Sequence, residues 1–369
     1  MAKSAFRHVR PVAIAVAMIW TLWACVTAFV VLVDPYDVRP WGGPSTLKEG
    51  YDPFAMDRFL SIAIKDPDAD LVLIGTSPTT PYSPADLLRA YPEAERPWNV
   101  SLHGGMGVDR LTTMNAFAAR SNAMHYLVTV DFFLAARTQT TRPGFAFHLH
   151  NNSFVDDLRV VTPHAVADAV RVMHRGSPVA DEDIARLAEA DFNSRAARHW
   201  RQPERRLIHR RAAREGRGVI FSAGRTECSQ FPGVAAFMHS VARLRERGAR
   251  VDLLVPTYAS ALWFEWSVDR ERLRELGPSM LEEQLAMRRC VVRSASTLGV
   301  AVYAQDDDAG LINDLRNFRD PGHVQGAENL MAFIAMPRNP GTRLTPGNFD
   351  AYADRVRAGV RAFDPEAPW

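Results

Sequence analysis

Three residues of types that together perform acyl transfer lie far apart in the sequence. Ser77 follows an apolar run in the stretch LVLIGTSPTT (71–80), and Asp320 and His323 stand close together near the other end of the chain. A serine hydroxyl attacks a carbonyl efficiently only when a base takes its proton. The Asp-x-x-His spacing lets Asp320 accept from one imidazole nitrogen while the other faces outward, as such a base requires.

Each half of this set also has an ordinary structural explanation. Gly-x-Ser before a proline occurs in many loops, and a strand-to-helix turn capped by Thr79 or Thr80 would explain the break at Ser77 as well. Asp320 could cap the helix that follows it, which would leave His323 as a surface residue. From the individual residues, both interpretations remain open.

The elements that must position these residues follow an alternating pattern. Apolar runs typical of buried strands alternate with helical periodicity, which predicts a three-layer, doubly wound α/β domain of about five parallel strands. Reactive groups collect at the carboxyl ends of such strands. The predicted strands are 71–76, 98–102, 126–133, 250–258 and 300–306, and the predicted helices are 108–121, 231–247, 268–297 and 323–335, with another helix starting at about Thr79.

Residues 137–225 do not follow this alternation of strands and helices, and they are predicted to form a mostly helical insertion. Its arginine-rich stretch RRLIHRRAAREGRG (205–218) is either a solvated helix face or a surface for an anionic polymer or lipid headgroups.

The N-terminus predicts a membrane anchor. Residues 11–33 carry no charge, and 23 helical residues are long enough to span the hydrocarbon core of a bilayer. A cleaved signal peptide would have a shorter apolar run followed by a small-x-small site. We therefore expect a cytoplasmic segment 1–10, a signal anchor 11–33, a linker 34–56 and an extracytoplasmic domain 57–369. The charges that predict this direction are Lys3, Arg7 and Arg10 before the run and Asp34 and Asp37 after it.

Composition excludes some classes of function. A hydrophobic fraction of 47% with 23% charged residues is typical of a folded globular protein, and a net charge of +2 gives no indication of nucleic acid binding.

Cys228 and Cys290 either pair in an oxidising compartment or are separate buried residues. His148 and His150 either bind a metal with a third ligand or form a hydrogen-bonded or surface pair. Neither a metal nor another cofactor is expected.

Ser77 after the first strand, followed by Asp320 and His323 before a late helix, resembles the SGNH/GDSL hydrolase superfamily over roughly residues 70–335. The resemblance implies that Gly104 and Gly105, at the end of the second strand, supply oxyanion donors. The family's third motif normally places an asparagine after the third strand, where this chain has Asp131. Asn99 and the backbone amide of Ser77 are candidate substitutes.

One membrane-anchored branch of the superfamily shares more features with this chain. The N-terminal anchor, the Gly-x-Ser sequence, the segment VDFF (130–133) and the late Asp-x-x-His resemble those of proteins of alginate O-acetylation and of D-alanyl transfer to teichoic acid. The segments DPY (34–36) and VPTYASALWFEW (255–266) are similar to uncharacterised proteins of the same branch. Tyr258 stands where a histidine is expected in several relatives, and His103 is a neighbour of the site without an assigned role. Trp263 and Trp266 either form a sugar-stacking platform or belong to the packed face of a helix.

The resemblance implies a serine esterase or O-acyltransferase that acts on a cell-envelope or exported polysaccharide. Ser77 would attack the acyl carbonyl, His323 would move the proton, and Asp320 would hold the imidazole, with Gly105 and the Ser77 amide at the oxyanion. The expected location is the bacterial inner membrane with a periplasmic domain, beside a possible acyl-donor membrane protein. The alternative is a catalytically weak or inactive accessory protein that binds a glycan or a synthesis partner, and Asp131 favours it.

Overall fold

A computed structural model describes residues 2–33, 60, 63–64, 66–102, 104–141, 166–167, 169–170, 173–174, 203–218, 220–222, 224–269 and 280–364. The chain divides into two compact units, Met1–Ile62 with Ala146–Asp183, and Ala63–Phe145 with Ile184–Trp369. The predicted linker and most of the predicted insertion lie outside the described residues.

The first unit contains the apolar helix predicted at the N-terminus. Helix α1 (Ala2–Val33) includes the 23-residue stretch Pro11–Val33, whose mean hydropathy is 2.4. This helix is long and apolar enough to span a membrane.

The second unit is built on a six-stranded, mostly parallel sheet, as the alternating pattern predicts. Its order is β2-β1-β3-β4-β5-β8, and the first five strands run parallel. All five predicted strands are present, and a two-residue antiparallel strand, β8, extends the edge beside β5. The bounds are β1 Leu71–Ile74, β2 Pro97–Asn99, β3 His125–Thr129, β4 Arg250–Leu254, β5 Ala301–Tyr303 and β8 Arg343–Leu344. The order reverses direction at β1, so β1 and β3 border the crevice in which ligands of such sheets bind.

Helices cover both faces of the sheet because side chains of successive strand residues point to opposite sides. Leu71 and Leu73 pack with α2 (Pro84–Ala90) and α9 (Ala327–Ile334) in one apolar cluster. Helices α3, α5 and α7 pack along β1, β4 and β5. The remaining bounds are α3 Gly107–Arg120, α4 Pro203–Gly216, α5 Pro232–Glu246, α6 Ser260–Val268, α7 Met280–Thr297, α8 Ala309–Asn313 and α10 Phe349–Arg361.

Two sequence predictions need correction near the candidate site. The helix expected from about Thr79 is a single 3₁₀ turn, Ser77–Thr79. The α-helix begins only at Pro84, because Ser83 and Asp86 form a capping box there. The helix predicted for 323–335 starts four residues later, at Ala327, after a short strand and the N-cap Gly326, which has a φ of 86°.

A disulfide joins the two cysteines that the sequence left open. Cys228 and Cys290 are bonded with their Cα atoms 5.5 Å apart, which ties the segment before α5 to α7. In the same region, Arg225 donates through its backbone N–H and its Nε to the fully buried Glu283, both at 2.6 Å. The bond therefore holds a loop closed across 62 positions of the chain.

We expect reduction of this disulfide, or the variant Cys290→Ala, to lower the free energy of unfolding by about 2–5 kcal/mol, because closing a long loop restricts the unfolded chain. Urea unfolding followed by circular dichroism measures the change. The control is Cys25→Ala, which removes the free cysteine. Unfolding midpoints that do not differ between Cys290→Ala and Cys25→Ala would contradict the expectation.

Candidate active site

Ser77 lies on a tight turn at the carboxyl end of β1. The turn is closed by the Thr79 backbone N–H, which donates to the Thr76 carbonyl at 2.9 Å. The Thr79 hydroxyl lies 2.7 Å from the Ser101 hydroxyl, and the Thr80 hydroxyl donates to the Ser77 carbonyl at 3.0 Å. Ser77 is half-buried while Thr79 is fully buried, so the threonines anchor a turn that presents the serine at the sheet edge.

Gly75 is required here by close approach. A Cβ at this position would lie 2.1 Å from Thr79 Oγ1, 3.0 Å from Thr129 Cγ2 and 3.1 Å from Ser101 Oγ. The first distance is far below van der Waals contact, and Thr79 is held by its own hydrogen bonds. The glycine of the Gly-x-Ser sequence thus lets the anchoring threonine pack beneath the turn.

Asp320 and His323 face each other across a two-residue hairpin. Strands β6 (Phe318–Asp320) and β7 (His323–Val324) are antiparallel, and Asp320 pairs with His323 across the turn. His323 Nδ1 lies 2.6 Å from Asp320 Oδ1, which also accepts from the Gly322 backbone N–H at 3.0 Å. Because Gly326 precedes α9, Asp320 does not cap that helix. The carboxylate orients the imidazole, as its spacing predicts.

The second nitrogen of His323 is left for another partner. Nε2 is buried and makes no hydrogen bond to any of the described residues. Cα atoms of β7 lie within 8 Å of Cα atoms of the Ser77–Thr79 turn. The hairpin is held there by the Ala259 backbone N–H, which donates to the Pro321 carbonyl at 2.9 Å. The structure therefore pairs Asp320 with His323 and places their hairpin against the turn of Ser77.

Asp320 is stabilised in its ionised form. Burial raises the pKa of its carboxyl, but the hydrogen bond and charge of His323 outweigh this effect. Together with the Arg319 charge and the Gly322 N–H, they lower the pKa from 3.8 to about 2. The carboxylate is thus charged throughout the pH range in which an imidazole acts as a base.

Asp131 is fully buried, and its charge is compensated. Its Oδ1 accepts from the Thr76 hydroxyl at 2.9 Å. Its Oδ2 accepts from the Thr129 hydroxyl at 2.5 Å and from Nη1 of Arg110, which is itself buried. The Asp131 carboxylate is therefore engaged by Arg110 and two threonines.

Two of the predicted oxyanion donors, Asn99 and Gly105, already have acceptors. Asn99 donates both amide hydrogens to backbone carbonyls, of Thr79 at 2.7 Å and Tyr82 at 2.8 Å. The Gly105 backbone N–H donates to the Leu102 carbonyl at 3.0 Å. Gly104, with a φ of 65°, is exposed, and a Cβ there would meet no atom within 4 Å. Asn99 thus supports the serine turn, and Gly104 borders open space.

An isolated parallel bridge between Thr76 and Leu102 continues the β1–β2 pairing beyond the strands. This bridge sets the serine turn beside the glycine loop that begins after Leu102. The predicted neighbour His103 lies outside the described residues.

Tyr258 lies beneath the surface rather than at it. It is 3% exposed, and its hydroxyl makes no hydrogen bond within the described part of the chain. Burial and the charge of Asp131 raise its pKa well above the usual range, so the phenol stays neutral. Its ring packs with Trp263 and Trp266, at centroid distances of 5.6 and 6.0 Å. Both tryptophans are buried, so the helix-packing interpretation is the correct one for them.

Histidine and aspartate side chains are potential metal ligands of this chain. His148 and His150 lie outside the described residues, and among those described no three His, Cys, Asp or Glu side chains are grouped to hold a metal ion. The buried Asp306 accepts from Arg288 at 2.6 Å and from Tyr352 at 2.7 Å. Asp308 caps α8.

Sequence reasoning missed Thr76, Arg110 and Arg319. A signal existed for Arg110, because it lies three, four and seven residues before Thr113, Met114 and Phe117 and so shares the buried face of α3. A charge on that face requires a buried counter-charge. No comparable signal marks Thr76 or Arg319.

Comparisons of the chain with models of known protein families and with curated proteins found no match.

Gly75→Ala should destabilise the protein by about 1–3 kcal/mol, because the new methyl group would force the anchoring Thr79 to move. Thermal unfolding of the full chain measures this. Gly218→Ala is the control, since a Cβ there meets nothing within 4 Å. Equal melting temperatures for the two variants would show that the turn tolerates the methyl group.

The lowered pKa of Asp320 predicts a pH-dependent contribution to stability. A carboxyl whose pKa falls from 3.8 to about 2 on folding stabilises the native state by about 2 kcal/mol above pH 5. The contribution is lost mainly between about pH 4 and pH 2. The contribution is measured as the difference in unfolding free energy between wild type and Asp320→Asn, obtained from urea unfolding at several pH values. The other carboxyls titrate in both proteins, so their effects cancel in this difference. A difference in unfolding free energy that stays constant over this range would refute the assignment.

Proposed function

We propose that this protein is a serine esterase or O-acyltransferase of the SGNH type that works through an acyl-serine intermediate. The observation that carries the proposal is the His323 imidazole, held by Asp320 through Nδ1 at 2.6 Å with a buried, unpartnered Nε2, on a strand beside the turn of Ser77. The parallel sheet and the position of Ser77 after its first strand add support.

The chemistry divides into two half-reactions. Ser77 Oγ attacks the carbonyl carbon of an acyl ester while His323 Nε2 takes the hydroxyl proton, and that proton then goes to the leaving alkoxide. In the second half, His323 takes a proton from water or an acceptor hydroxyl, whose oxygen attacks the acyl-serine carbonyl. The bond from the acyl group to Ser77 Oγ then breaks, and Oγ takes that proton from His323. Asp320 stabilises the imidazolium that forms in each half.

The oxyanion requires donors that are free at that moment. Asn99 and Gly105 donate to carbonyls of the resting structure, so we assign the oxyanion to the loop at Gly104 and to the Ser77 amide. Asp131 does not oppose this charge in our scheme, because Arg110 compensates it.

Two independent features support a membrane anchor and an extracytoplasmic compartment. In our proposal the apolar stretch Pro11–Val33 of α1 anchors the protein, and the positive residues in α1 before this stretch remain in the cytoplasm. The disulfide between Cys228 and Cys290 persists in an oxidising compartment, which agrees with an extracytoplasmic second unit. We therefore propose a periplasmic enzyme of the bacterial inner membrane. Its acceptor is a cell-envelope or exported polysaccharide, and an acyl-donor membrane protein supplies the acyl group.

A fluorophosphonate probe applied to the full-length protein in detergent should label Ser77. Ser77→Ala should abolish labelling, and His323→Gln should slow it by about 100-fold or more, because no other base takes the proton. Ser240→Ala is the control, since that buried serine lies in α5. Peptide mass spectrometry locates the label. Labelling that persists in Ser77→Ala would remove this residue from the mechanism.

A second candidate function is a non-catalytic accessory protein that binds a glycan or a polysaccharide synthesis partner. It is favoured by Asn99 and Gly105, whose N–H groups already donate to backbone carbonyls and so leave fewer donors for an oxyanion. This function predicts that wild type and Ser77→Ala bind polysaccharide equally and that the probe labels neither protein.

A further inference from the structure

We infer that Asp131 is a positioning residue, which fixes the backbone that carries Ser77 through the hydroxyl of Thr76. The inference rests on the proposed function, in which Ser77 is the nucleophile. It gives Asp131 a role different from that of the oxyanion-binding asparagine expected at this place.

Thr76 links the carboxylate to the nucleophile because it directly precedes Ser77. Its hydroxyl donates to Asp131 Oδ1 at 2.9 Å, and its carbonyl accepts from the Thr79 N–H at 2.9 Å and from the Thr79 hydroxyl at 3.0 Å. Thr76 is 4% exposed, and both Asp131 and Thr79 are fully buried. The residue before the nucleophile is thus held by its side chain and by its carbonyl, which fixes the direction in which the chain enters Ser77.

The carboxylate is itself fixed from the opposite side. Asp131 Oδ2 accepts from the Thr129 hydroxyl at 2.5 Å and from Arg110 Nη1. Arg110 Nη1 also donates to the Thr129 carbonyl at 2.7 Å, so the guanidinium is aligned with the end of β3. Hydrogen bonds that involve a charged partner are stronger and shorter than neutral ones. The end of β1 is therefore tied to the end of β3 by a charged group.

The same contacts explain why an aspartate stands here. All three donors point at the two carboxylate oxygens. An asparagine has one carbonyl oxygen, and its amide group would present hydrogens to the guanidinium or to a hydroxyl. A buried guanidinium also requires a counter-charge. Asp131 and Arg110 consequently form a matched pair, and the departure from the family's asparagine belongs to this pair.

Thr76→Val tests the inference with one removed hydroxyl. It keeps the shape of the side chain and the Arg110–Asp131 ion pair, whereas Asp131→Asn would leave a buried guanidinium uncompensated and unfold the site. We expect Thr76→Val to reduce the rate constant for fluorophosphonate labelling about tenfold, the size of effect of one hydrogen bond to a charged group. With an activated acyl ester, kcat should fall by the same factor while KM stays unchanged.

Two further variants separate positioning from loss of any buried hydroxyl. Thr76→Ser keeps the donor and should restore the wild-type rate. Thr113→Val removes a buried hydroxyl that donates to the Asp109 carbonyl at 3.0 Å in α3, and it should label as wild type does. Equal labelling by Thr76→Val and Thr113→Val would overturn the inference.

Hydrogen exchange gives a readout that does not depend on activity. The Thr79 amide, which closes the serine turn, should exchange about tenfold faster in Thr76→Val than in wild type and should be unchanged in Thr113→Val. If the probe fails to label the wild type, the proposed function fails, and exchange still decides whether Asp131 holds the turn. Unchanged exchange at Thr79 in Thr76→Val would overturn the inference by itself.

Discussion

The buried ion pair between Arg110 and Asp131 is the interaction on which the geometry of the candidate site depends. It lies at the point where the strand order reverses, between the ends of β1 and β3. Both side chains are almost fully buried, so neither charge could remain there without the other. The pair joins α3 to β3 and, through Thr76, to the turn of Ser77.

His323, the proposed base, lies on a separate element, which is supported by its own contacts. Asp320 and His323 pair within the β6–β7 hairpin itself, because the two residues face each other across a short turn. The hydrogen bond from the Ala259 backbone N–H to the Pro321 carbonyl connects this hairpin to the loop after β4. This connection sets the position of the hairpin relative to the six-stranded sheet. Ser77 and His323 are thus positioned by different parts of the chain, which meet at the carboxyl ends of the parallel strands.

Local patterns predicted much of this structure, and tertiary contacts decided the rest. The five parallel strands were predictable because strands buried on both faces read as continuous apolar runs. The predicted strand 250–258 is too long because buried Val255 and Tyr258 continue the apolar run beyond Leu254. Strand β8 has only two residues, too few to show alternation. Helix α10 did carry a signal that was overlooked, with buried Phe349, Tyr352, Val356 and Val360 at helical spacing.

At the site, the contact between Asp320 and His323 was predictable because it is local. The contacts of Asp131 with Thr76 and Arg110 were not, because these two residues lie 55 and 21 positions away in the sequence. The sequence offers Asn99 as a candidate substitute for an oxyanion-binding asparagine, but in the structure its amide hydrogens hold the backbone at Thr79 and Tyr82. The pairing of Cys228 with Cys290 also depends on packing across the fold, of which the spacing of the cysteines gives no measure.

The most direct test of the central claim is to detect the acyl-serine itself. The full-length protein is incubated with an activated acetyl ester, quenched in acid and examined by intact-mass and peptide mass spectrometry. The proposed acyl-serine mechanism predicts one added acetyl group, located on Ser77, and no such adduct in Ser77→Ala. An adduct on any other residue, or equal acetylation of Ser77→Ala, would contradict it.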